Sequence, residues 1–392
     1  MKVLYLHQYF KTNSTAGGTR SYEFAKFLSQ NGIKVNVITG TEVDEKCNEE
    51  IDFYVYSTNT KYSNNMSKWR RIAAFLDYNI KALFKGLRTK DMDIVFATST
   101  PLTIGLPAVL ISKIKRKKLI FEVRDVWPDV PIELGYIRNK LMIKILKAFE
   151  LWIYNNSEHI IVLSEGMYNN LIGKGVNKEK ISIIENMANL YLYDEVKETY
   201  KLSYMDDKFV CIHPGTMGHV NGLDFILDVA KYIKKVDKEV VFLLIGEGKR
   251  KEHLKRRVKE ENISNVIIKD ALPKKEIVKI IKSSDIGIMC VDNNYKILED
   301  NSANKFFDFL AAGLPILINY EGWQKEVLEK YNCGKSDLKP EEMANTIMKL
   351  KNDIELRKEM GRKSKTLAEN KYSDIIAKQK LLNIINNNQR GN

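Results

Sequence analysis

Cysteine is scarce in this chain, and the few cysteines are scattered. The 392 residues include four, Cys47, Cys211, Cys290 and Cys333, and no two of them form a CxxC pair. This spacing argues against a disulfide framework and against a structural zinc site. It is typical of proteins that work in a reducing compartment.

Long apolar runs are missing as well. No stretch approaches the roughly 20 apolar residues that are needed to span a bilayer. The first residues, MKVLYLHQYF, contain an apolar run that is too short for a signal peptide and that predicts a strand. We therefore expect a cytoplasmic protein.

Signatures of several large protein classes are absent too. The chain has no GxGxxG motif of dinucleotide-binding proteins, and no zinc-finger or RNA-binding signature, so we expect no nucleic-acid partner. What the chain does have is an excess of positive charge, +13 at pH 7. Such a charge favours a polyanionic partner, for example a membrane surface or a phosphorylated substrate.

Short β-rich runs alternate with helical patterns along the chain, which predicts an α/β fold with parallel sheets. In the first half the expected strands are 2–6, 34–39, 52–56, 94–97, 118–123 and 159–163, and the expected helices are 19–30, 68–87, 102–115, 140–155 and 165–174. The pattern restarts with strands 209–214, 240–245, 266–270, 285–291 and 315–319. A polar segment without periodicity, 186–201, separates the halves. We therefore predict domains at 1–190 and 191–373.

Two of the predicted helices, 68–87 and 140–155, are strongly amphipathic and carry basic residues opposite their apolar positions. One interpretation is that each helix covers the sheet with its apolar face and exposes its basic face to water. The other is that the basic residues bind an anionic membrane surface. The sequence leaves both interpretations open and favours the first.

Glycines follow three predicted strands. Gly17 and Gly18 precede the first helix, Gly215 and Gly218 follow the strand at 209–214, and Gly246 follows the next strand. Glycine lets backbone N–H groups approach a phosphate, and ligands of open parallel sheets bind at the carboxyl ends of strands. We expect these glycines to line a ligand cleft between the two halves.

Charged residues crowd the stretch FEVRDVWPDVP after another predicted strand. Glu122 and Asp125 could act as a general base or bind a sugar hydroxyl, with Arg124 between them. A surface ion pair between an arginine and an acid is the alternative interpretation.

A second polar group lies in EDNSANKFFDFLAAGLP. Asn304 and Lys305 lie near the start of a predicted helix, where the helix dipole favours phosphate. Asp308 lies on the same face and could accept hydrogen bonds from ribose hydroxyls. Asp300 precedes the helix and could meet the sugar end of the same ligand. One helix could therefore contact a nucleotide sugar along its length.

The segments GGTRSYEFAKFLSQNGIKVNVITG, IVLSEGM, ENMANL, HPGTMGHVNGL, LLIGEGK, SSDIGIMCV and ANKFFDFLAAGLPIL occur in the order seen in glycosyltransferases of family 4, which the chain resembles. EVRDVWPD resembles bacterial members that build O-antigen or capsule. The resemblance implies a GT-B fold, in which two Rossmann-like domains face each other across a cleft and a C-terminal helix, here 374–392, crosses back to the N-terminal domain. It places the Glu-x7-Glu signature of the family on Asp300 and Asp308.

The chain differs from the family pattern at some positions, so we expect other residues to take over the corresponding roles. Thr216 and Asn221 stand where many members carry an arginine and a lysine for the diphosphate, so Lys305 becomes the candidate cation. Arg124 replaces a histidine of the catalytic loop that many relatives have.

The sequence thus predicts a glycosyltransferase of the hexosyl or N-acetylhexosaminyl class that uses a nucleotide-sugar donor, UDP-linked, without a metal cofactor. The family resemblance implies retention at the anomeric carbon. The expected catalytic residues are Glu122, Asp125 and Asp300. Gly17, Gly18 and Arg124 would lie on the acceptor side. The expected acceptor is linked to polyprenyl diphosphate, and the enzyme would lie on the inner face of the cell membrane. A sugar-nucleotide epimerase of the same fold and a non-catalytic nucleotide-binding scaffold are the alternatives.

Overall fold

The computed structural model of this protein describes residues 1–12, 17–41, 53–62, 66–196 and 207–389. It contains two compact units. The first unit comprises Met1–Thr12, Gly18–Glu185 and Ile375–Asn392, and the second comprises mainly residues 186–374. Parts of two predicted segments, the strand start at residue 52 and the linker end at 197–201, lie outside the described residues.

The first unit is built on a parallel sheet of seven strands. Their bounds are β1 Lys2–Leu6, β2 Lys34–Thr39, β3 Tyr54–Ser57, β4 Ile94–Thr98, β5 Lys118–Val123, β6 His159–Val162 and β7 Ile181–Ile183. The order in the sheet is β3-β2-β1-β4-β5-β6-β7. The helices of this part are α1 Arg20–Gln30, α2 Lys68–Arg88, α3 Gly105–Lys115, α4 Asp129–Glu133, α5 Lys140–Asn155 and α6 Glu165–Gly173.

The second unit repeats the pattern with six parallel strands. They are β8 Phe209–Pro214, β9 Val240–Ile245, β10 Val266–Lys269, β11 Ile286–Met289, β12 Ile316–Ile318 and β13 Gly334–Ser336, in the order β10-β9-β8-β11-β12-β13. Its helices are α7 Leu190–Asp194, α8 Asp224–Lys234, α9 Lys251–Glu260, α10 Lys274–Lys282, α11 Asn304–Ala312, α12 Trp323–Tyr331, α13 Pro340–Asn352 and α14 Ile354–Asn370.

The central strands of both sheets are continuously buried. Every residue of β4, β8 and β9 is buried, as expected for parallel strands that are covered on both sides. The predicted α/β fold with two Rossmann-like domains is confirmed. A local difference is that the helix expected at 102–115 begins with a 3-10 turn, Leu102–Ile104, before α3.

The last helix, α15 Asp374–Gln389, belongs to the first unit from Ile375 onward. Its Lys378 Nζ lies 2.9 Å from Glu23 Oε2 of α1, and Leu381 and Ile385 are fully buried. The prediction that the C-terminal helix returns to the N-terminal domain is therefore confirmed.

Helix α2 covers the first sheet with only part of its apolar residues. Ala74, Tyr78 and Ala82 are buried, and Leu83 and Leu87 pack against the core of the first unit. Five other large apolar residues of this helix are exposed: Trp69, Ile72, Leu76, Ile80 and Phe84. The favoured interpretation, in which the apolar face of this helix covers the sheet, therefore holds for only part of that face. The amphipathic pattern is real, but the small residues of α2 fit the close approach to α3 and the sheet.

None of the described helices is long and apolar enough to cross a membrane.

Candidate active site

A lysine lies at the carboxyl end of the second sheet. Lys305 is the second residue of α11, whose N-terminus no described side chain caps. Its Nζ lies 2.9 Å from His213 Nε2 in β8, and it would lie 3.2 Å from a Cβ atom placed on Gly215. Burial lowers the pKa of Lys305 to about 8, because an ammonium group away from water loses solvation. A poorly solvated cation at an open helix N-terminus is suited to bind an anion.

His213 contacts Lys305 as a neutral side chain. The imidazole is fully buried, and its Nδ1 lies 3.0 Å from the carbonyl oxygen of Ile288 in the neighbouring strand β11. Because a carbonyl can only accept, Nδ1 carries the proton and Nε2 accepts from the Lys305 ammonium. Burial and the Lys305 charge hold the pKa of His213 well below its usual value. Sequence analysis missed this residue, whose only signal is its place two positions before Gly215.

The glycines of the second unit do not form the predicted phosphate cradle. The N–H of Gly215 donates to Ile245 O at 2.8 Å, and the N–H of Gly218 donates to Asn221 Oδ1 at 3.2 Å. A Cβ atom on Gly246 would clash with the carbonyl oxygen of Gly215. These glycines allow two loops after neighbouring strands to pack closely. The prediction that their N–H groups face a phosphate is therefore wrong, and Gly215 instead leaves room for Lys305.

Asp308 lies one turn after Lys305 in α11, as the sequence predicts, but its charge is already balanced. Lys274 Nζ, at the start of α10, lies 2.5 Å from Asp308 Oδ1, and both side chains are 13% exposed. Burial and the Asp308 carboxylate raise the pKa of the adjacent Tyr193 well above its usual value. A ribose hydroxyl would share this carboxylate with Lys274. Neither Lys274 nor Tyr193 was identified from the sequence.

Two further predicted donor residues flank the start of α11. Asn304 is its first residue, and Asp300 ends a 3-10 helix, Lys296–Asp300, that precedes it. Both are partly exposed. Their roles toward a donor stay predictions.

Glu122 occupies a different environment from the one the sequence suggests. It is fully buried at the end of β5. Its two carboxylate oxygens accept from Arg20 Nε at 2.9 Å and from Thr98 Oγ1 at 2.6 Å. Burial alone would raise the pKa of Glu122, but Arg20 and Arg124 outweigh burial and lower it. A carboxylate held in this way is a poor general base, so the structure does not support Glu122 as a catalytic residue.

The guanidinium of Arg20 completes this network with the backbone. Its Nη1 donates to the carbonyl oxygen of Glu185 at 2.6 Å, and its Nη2 donates to that of Ile184 at 2.8 Å. Arg20 therefore joins the start of α1 to β5 and to the segment after β7. Each of its three nitrogens therefore donates a hydrogen bond within the fold.

The other predicted acceptor-side residues are at least partly accessible. Arg124 is half-buried and Asp125 is exposed after β5. Gly17 is exposed, with a φ of 130° that favours glycine, and Gly18 is half-buried before α1. Of the two acids considered for an acceptor hydroxyl, only Asp125 is accessible.

Two buried polar residues that sequence analysis missed follow β1. His7 and Gln8 are 2% and 1% exposed. Within the described part of the chain, His7 Nδ1 and both amide atoms of Gln8 have no hydrogen-bond partner. Buried polar atoms rarely remain unpaired, so a water molecule or a ligand hydroxyl is expected there.

The described residues contain no group of three or more His, Cys, Asp or Glu side chains that could hold a metal ion.

Two family profiles match the chain in succession. Glycosyltransferase Family 4 matches residues 17–191, and Glycosyl transferases group 1 matches residues 197–367. This chain is a family 4 glycosyltransferase. The resemblance seen in its motifs is thereby confirmed, and the enzyme class with it.

Sequence relatives of this glycosyltransferase include one from an archaeon and one from a bacterium. An uncharacterized glycosyltransferase of Methanocaldococcus jannaschii is 23% identical over 347 residues, which cover 83% of this chain and 87% of the relative. An Escherichia coli K12 protein named as a colanic acid biosynthesis glycosyl transferase, WcaI, is 21% identical over 166 residues, 40% of each chain.

The fold of this glycosyltransferase is that of the GT-B enzymes. Anabaena HepE in complex with UDP-glucose matches with a TM-score of 0.74 at 14% identity, over 99% of this chain and 100% of that chain.

Proposed function

We propose that this glycosyltransferase moves a hexosyl or N-acetylhexosaminyl group from a UDP-linked donor to an acceptor, with retention of the anomeric configuration. The observation that carries the proposal is Lys305. Its poorly solvated ammonium lies at the uncapped start of α11 beside the turn at Gly215. A nucleoside diphosphate supplies the anion that this arrangement lacks. Support also comes from HepE, which has the same fold and was crystallised with UDP-glucose.

The chemistry asked of this site is charge stabilisation. The bond between the sugar C1 and the β-phosphate oxygen breaks through a state that resembles an oxocarbenium ion. The electron pair leaves with the diphosphate, whose added charge Lys305 and the α11 dipole would stabilise. Asp308 would hold the ribose, and Asp300 would contact the sugar. Since Lys305 supplies the positive charge, we propose turnover without a metal cofactor, and a chelator should leave the rate unchanged.

The first unit would bind the acceptor. Arg124, Gly17 and Gly18 would contact it, and Asp125 would orient or deprotonate its hydroxyl. The proposal assigns this role to Asp125 because it is exposed, whereas Glu122 is buried with both oxygens bonded.

A polyprenyl-diphosphate-linked acceptor in O-antigen or capsule synthesis fits an exposed face of the first unit. The outward side chains of α2 are large and apolar, and Trp69 is 77% exposed. Helix α3 packs against both α2 and α5, and α5 exposes Leu141, Met142 and Ile145. Soluble monomers rarely expose so many large apolar side chains together.

Basic residues accompany this apolar face. Arg70 and Arg88 are exposed on α2, and Lys140 and Lys144 are exposed on α5. Apolar side chains that enter the headgroup region and flanking cations that bind anionic lipids are the two parts of an interfacial membrane contact. We therefore propose that the enzyme associates peripherally with the inner face of the cell membrane.

The function is tested by incubating the enzyme with a panel of UDP-sugars and a bacterial membrane extract. We expect release of UDP that depends on the extract, together with a labelled lipid-linked product. Conversion of the donor into an epimer without extract would favour an epimerase. Donor that is bound but never consumed, with any extract, would favour a binding scaffold.

A further inference from the structure

We propose that His213 is a positioning residue for donor binding: its neutral imidazole holds the Lys305 ammonium above Gly215, where the diphosphate of the donor would bind. The inference rests on the proposed function. It assigns a role to a buried histidine that the chemistry itself does not use.

The geometry allows His213 only one hydrogen-bonding arrangement toward Lys305. Ile288 lies in β11, the strand that pairs with β8, and its carbonyl fixes the proton on Nδ1. Nε2 can then only accept, and the atom within 2.9 Å of it is Lys305 Nζ. A lysine side chain has four rotatable bonds, so without this acceptor the ammonium would sample several positions. The fixed imidazole therefore selects the one position that lies over Gly215.

The charged and titratable groups around Lys305 come from three elements. His213 comes from β8, Cys290 follows β11, and Asp308 comes from α11 itself. Asp308 is paired with Lys274 of α10, and burial raises the pKa of Cys290 far above neutral pH. Among the described residues, Asp308 is the one group close to Lys305 that carries a full negative charge. The positive charge of the ammonium is therefore poorly compensated until a phosphate binds. The imidazole is its neutral hydrogen-bond partner.

Two substitutions separate the two hydrogen bonds of the imidazole. In His213→Asn the side-chain amide can still donate to Ile288, but it cannot reach Lys305. In His213→Gln the longer amide places its oxygen near the position of Nε2 and can accept from Lys305. A purely structural role of His213 would make both variants fail alike.

The experiment measures the pKa of Lys305 by NMR in the ligand-free protein and the affinities for UDP and uridine by calorimetry. We expect His213→Asn to lower the pKa of Lys305 further and to weaken UDP about three- to tenfold, with uridine unchanged. We expect His213→Gln to leave the pKa of Lys305 unchanged and to keep the affinities for UDP and uridine within about twofold of the parent. In a Lys305→Met background, His213→Asn should cause no further loss of UDP affinity.

Unfolding midpoints of the two variants check that both are folded. An unchanged Lys305 pKa together with parental UDP binding in His213→Asn would overturn the inference. So would equal losses of UDP and uridine in both variants. If the parent protein binds no UDP, the proposed function fails and the diphosphate part of this inference fails with it. The Lys305 titration would still decide whether His213 holds the ammonium.

Discussion

Each unit of this enzyme holds a cation at the end of its sheet, and the two cations are balanced in different ways. In the first unit Arg20 lies against the Glu122 carboxylate, with side chains 1% and 0% exposed, and its two terminal nitrogens donate to backbone carbonyls. In the second unit Lys305 faces a neutral imidazole. A cation that the chain balances itself stabilises the fold, whereas a cation that the chain leaves unbalanced is available to an anionic ligand.

Breaking the ion pair between Arg20 and Glu122 should destabilise the fold strongly. Arg20→Met leaves the Glu122 carboxylate buried without its partner, which should lower the free energy of unfolding by about 3–5 kcal/mol. Three of the four tryptophans lie in the first unit, so urea unfolding followed by tryptophan fluorescence reports mainly on it. The exposed Arg70→Met is the matched control and should change stability by less than about 0.5 kcal/mol. Equal stability of the two variants would contradict a structural role of Arg20.

Removing the unbalanced cation should weaken ligand binding without lowering stability. Lys305→Met should weaken UDP by roughly ten- to a hundredfold, because charged hydrogen bonds contribute about 1.5–3 kcal/mol. Uridine, which lacks phosphate, should bind as before, and burial of a neutral methionine should not reduce stability. Calorimetry with both ligands measures this, and the exposed Lys358→Met is the control. If the variant binds UDP as tightly as the parent, the phosphate assignment is wrong and Lys249 becomes the candidate.

Basic residues on the surface of the first unit should bind anionic membranes, whereas those on the surface of the second unit should not. Each basic residue near an anionic bilayer contributes about 1 kcal/mol, so Arg70→Gln with Arg88→Gln should weaken binding to anionic vesicles roughly thirtyfold. The same number of charges removed from the second unit, with Lys358→Gln and Lys363→Gln, should have little effect. Vesicle sedimentation at low and high salt measures both pairs. Equal binding to neutral and anionic vesicles would contradict the electrostatic contact.

The smallest expected effect concerns Asp308, a balanced charge close to the unbalanced one. Asp308→Asn should weaken UDP and uridine by the same factor, about two- to tenfold, because both ligands contain the ribose and the carboxylate is shared with Lys274. Asp300→Asn should leave both ligands unaffected and should weaken only an intact UDP-sugar. A loss with Asp308→Asn that is confined to UDP would place the phosphate, rather than the ribose, at Asp308.

The sequence was sufficient to predict the two sheets and the position of Lys305. Strand and helix periodicities are local, and the charge of a lysine near a helix start is visible without a structure. The face that a helix buries is not local. Trp69 and Phe84 obey helical spacing, but whether that stripe faces the sheet depends on the neighbouring small residues at Ala74 and Ala82, which decide how closely the helix can approach.

The roles of glycines and buried polar side chains also depend on tertiary contacts. Gly215 and Gly246 follow strands as phosphate-binding glycines do, but each lies against the other loop, and pairing between loops cannot be derived from spacing. His213 looks like an ordinary strand residue until Ile288 and Lys305 are placed on either side of it. Lys274 and Asp308 are 34 residues apart in the chain. The ion pair that limits the availability of the Asp308 carboxylate could therefore not be predicted from the sequence either.

Proton uptake on UDP binding reports directly whether the ligand compensates the charge of Lys305. With a pKa of about 8 in the ligand-free enzyme, Lys305 is charged at pH 7 and half charged at pH 8, and the diphosphate should raise that pKa and restore the full charge. Calorimetry at pH 8 in two buffers of different ionisation enthalpy should show uptake of about half a proton per UDP. UDP affinity should fall as the pH rises above 8, and Lys305→Met should abolish both effects. No proton uptake and a constant UDP affinity between pH 7 and pH 9 would contradict the claim that the ligand balances Lys305.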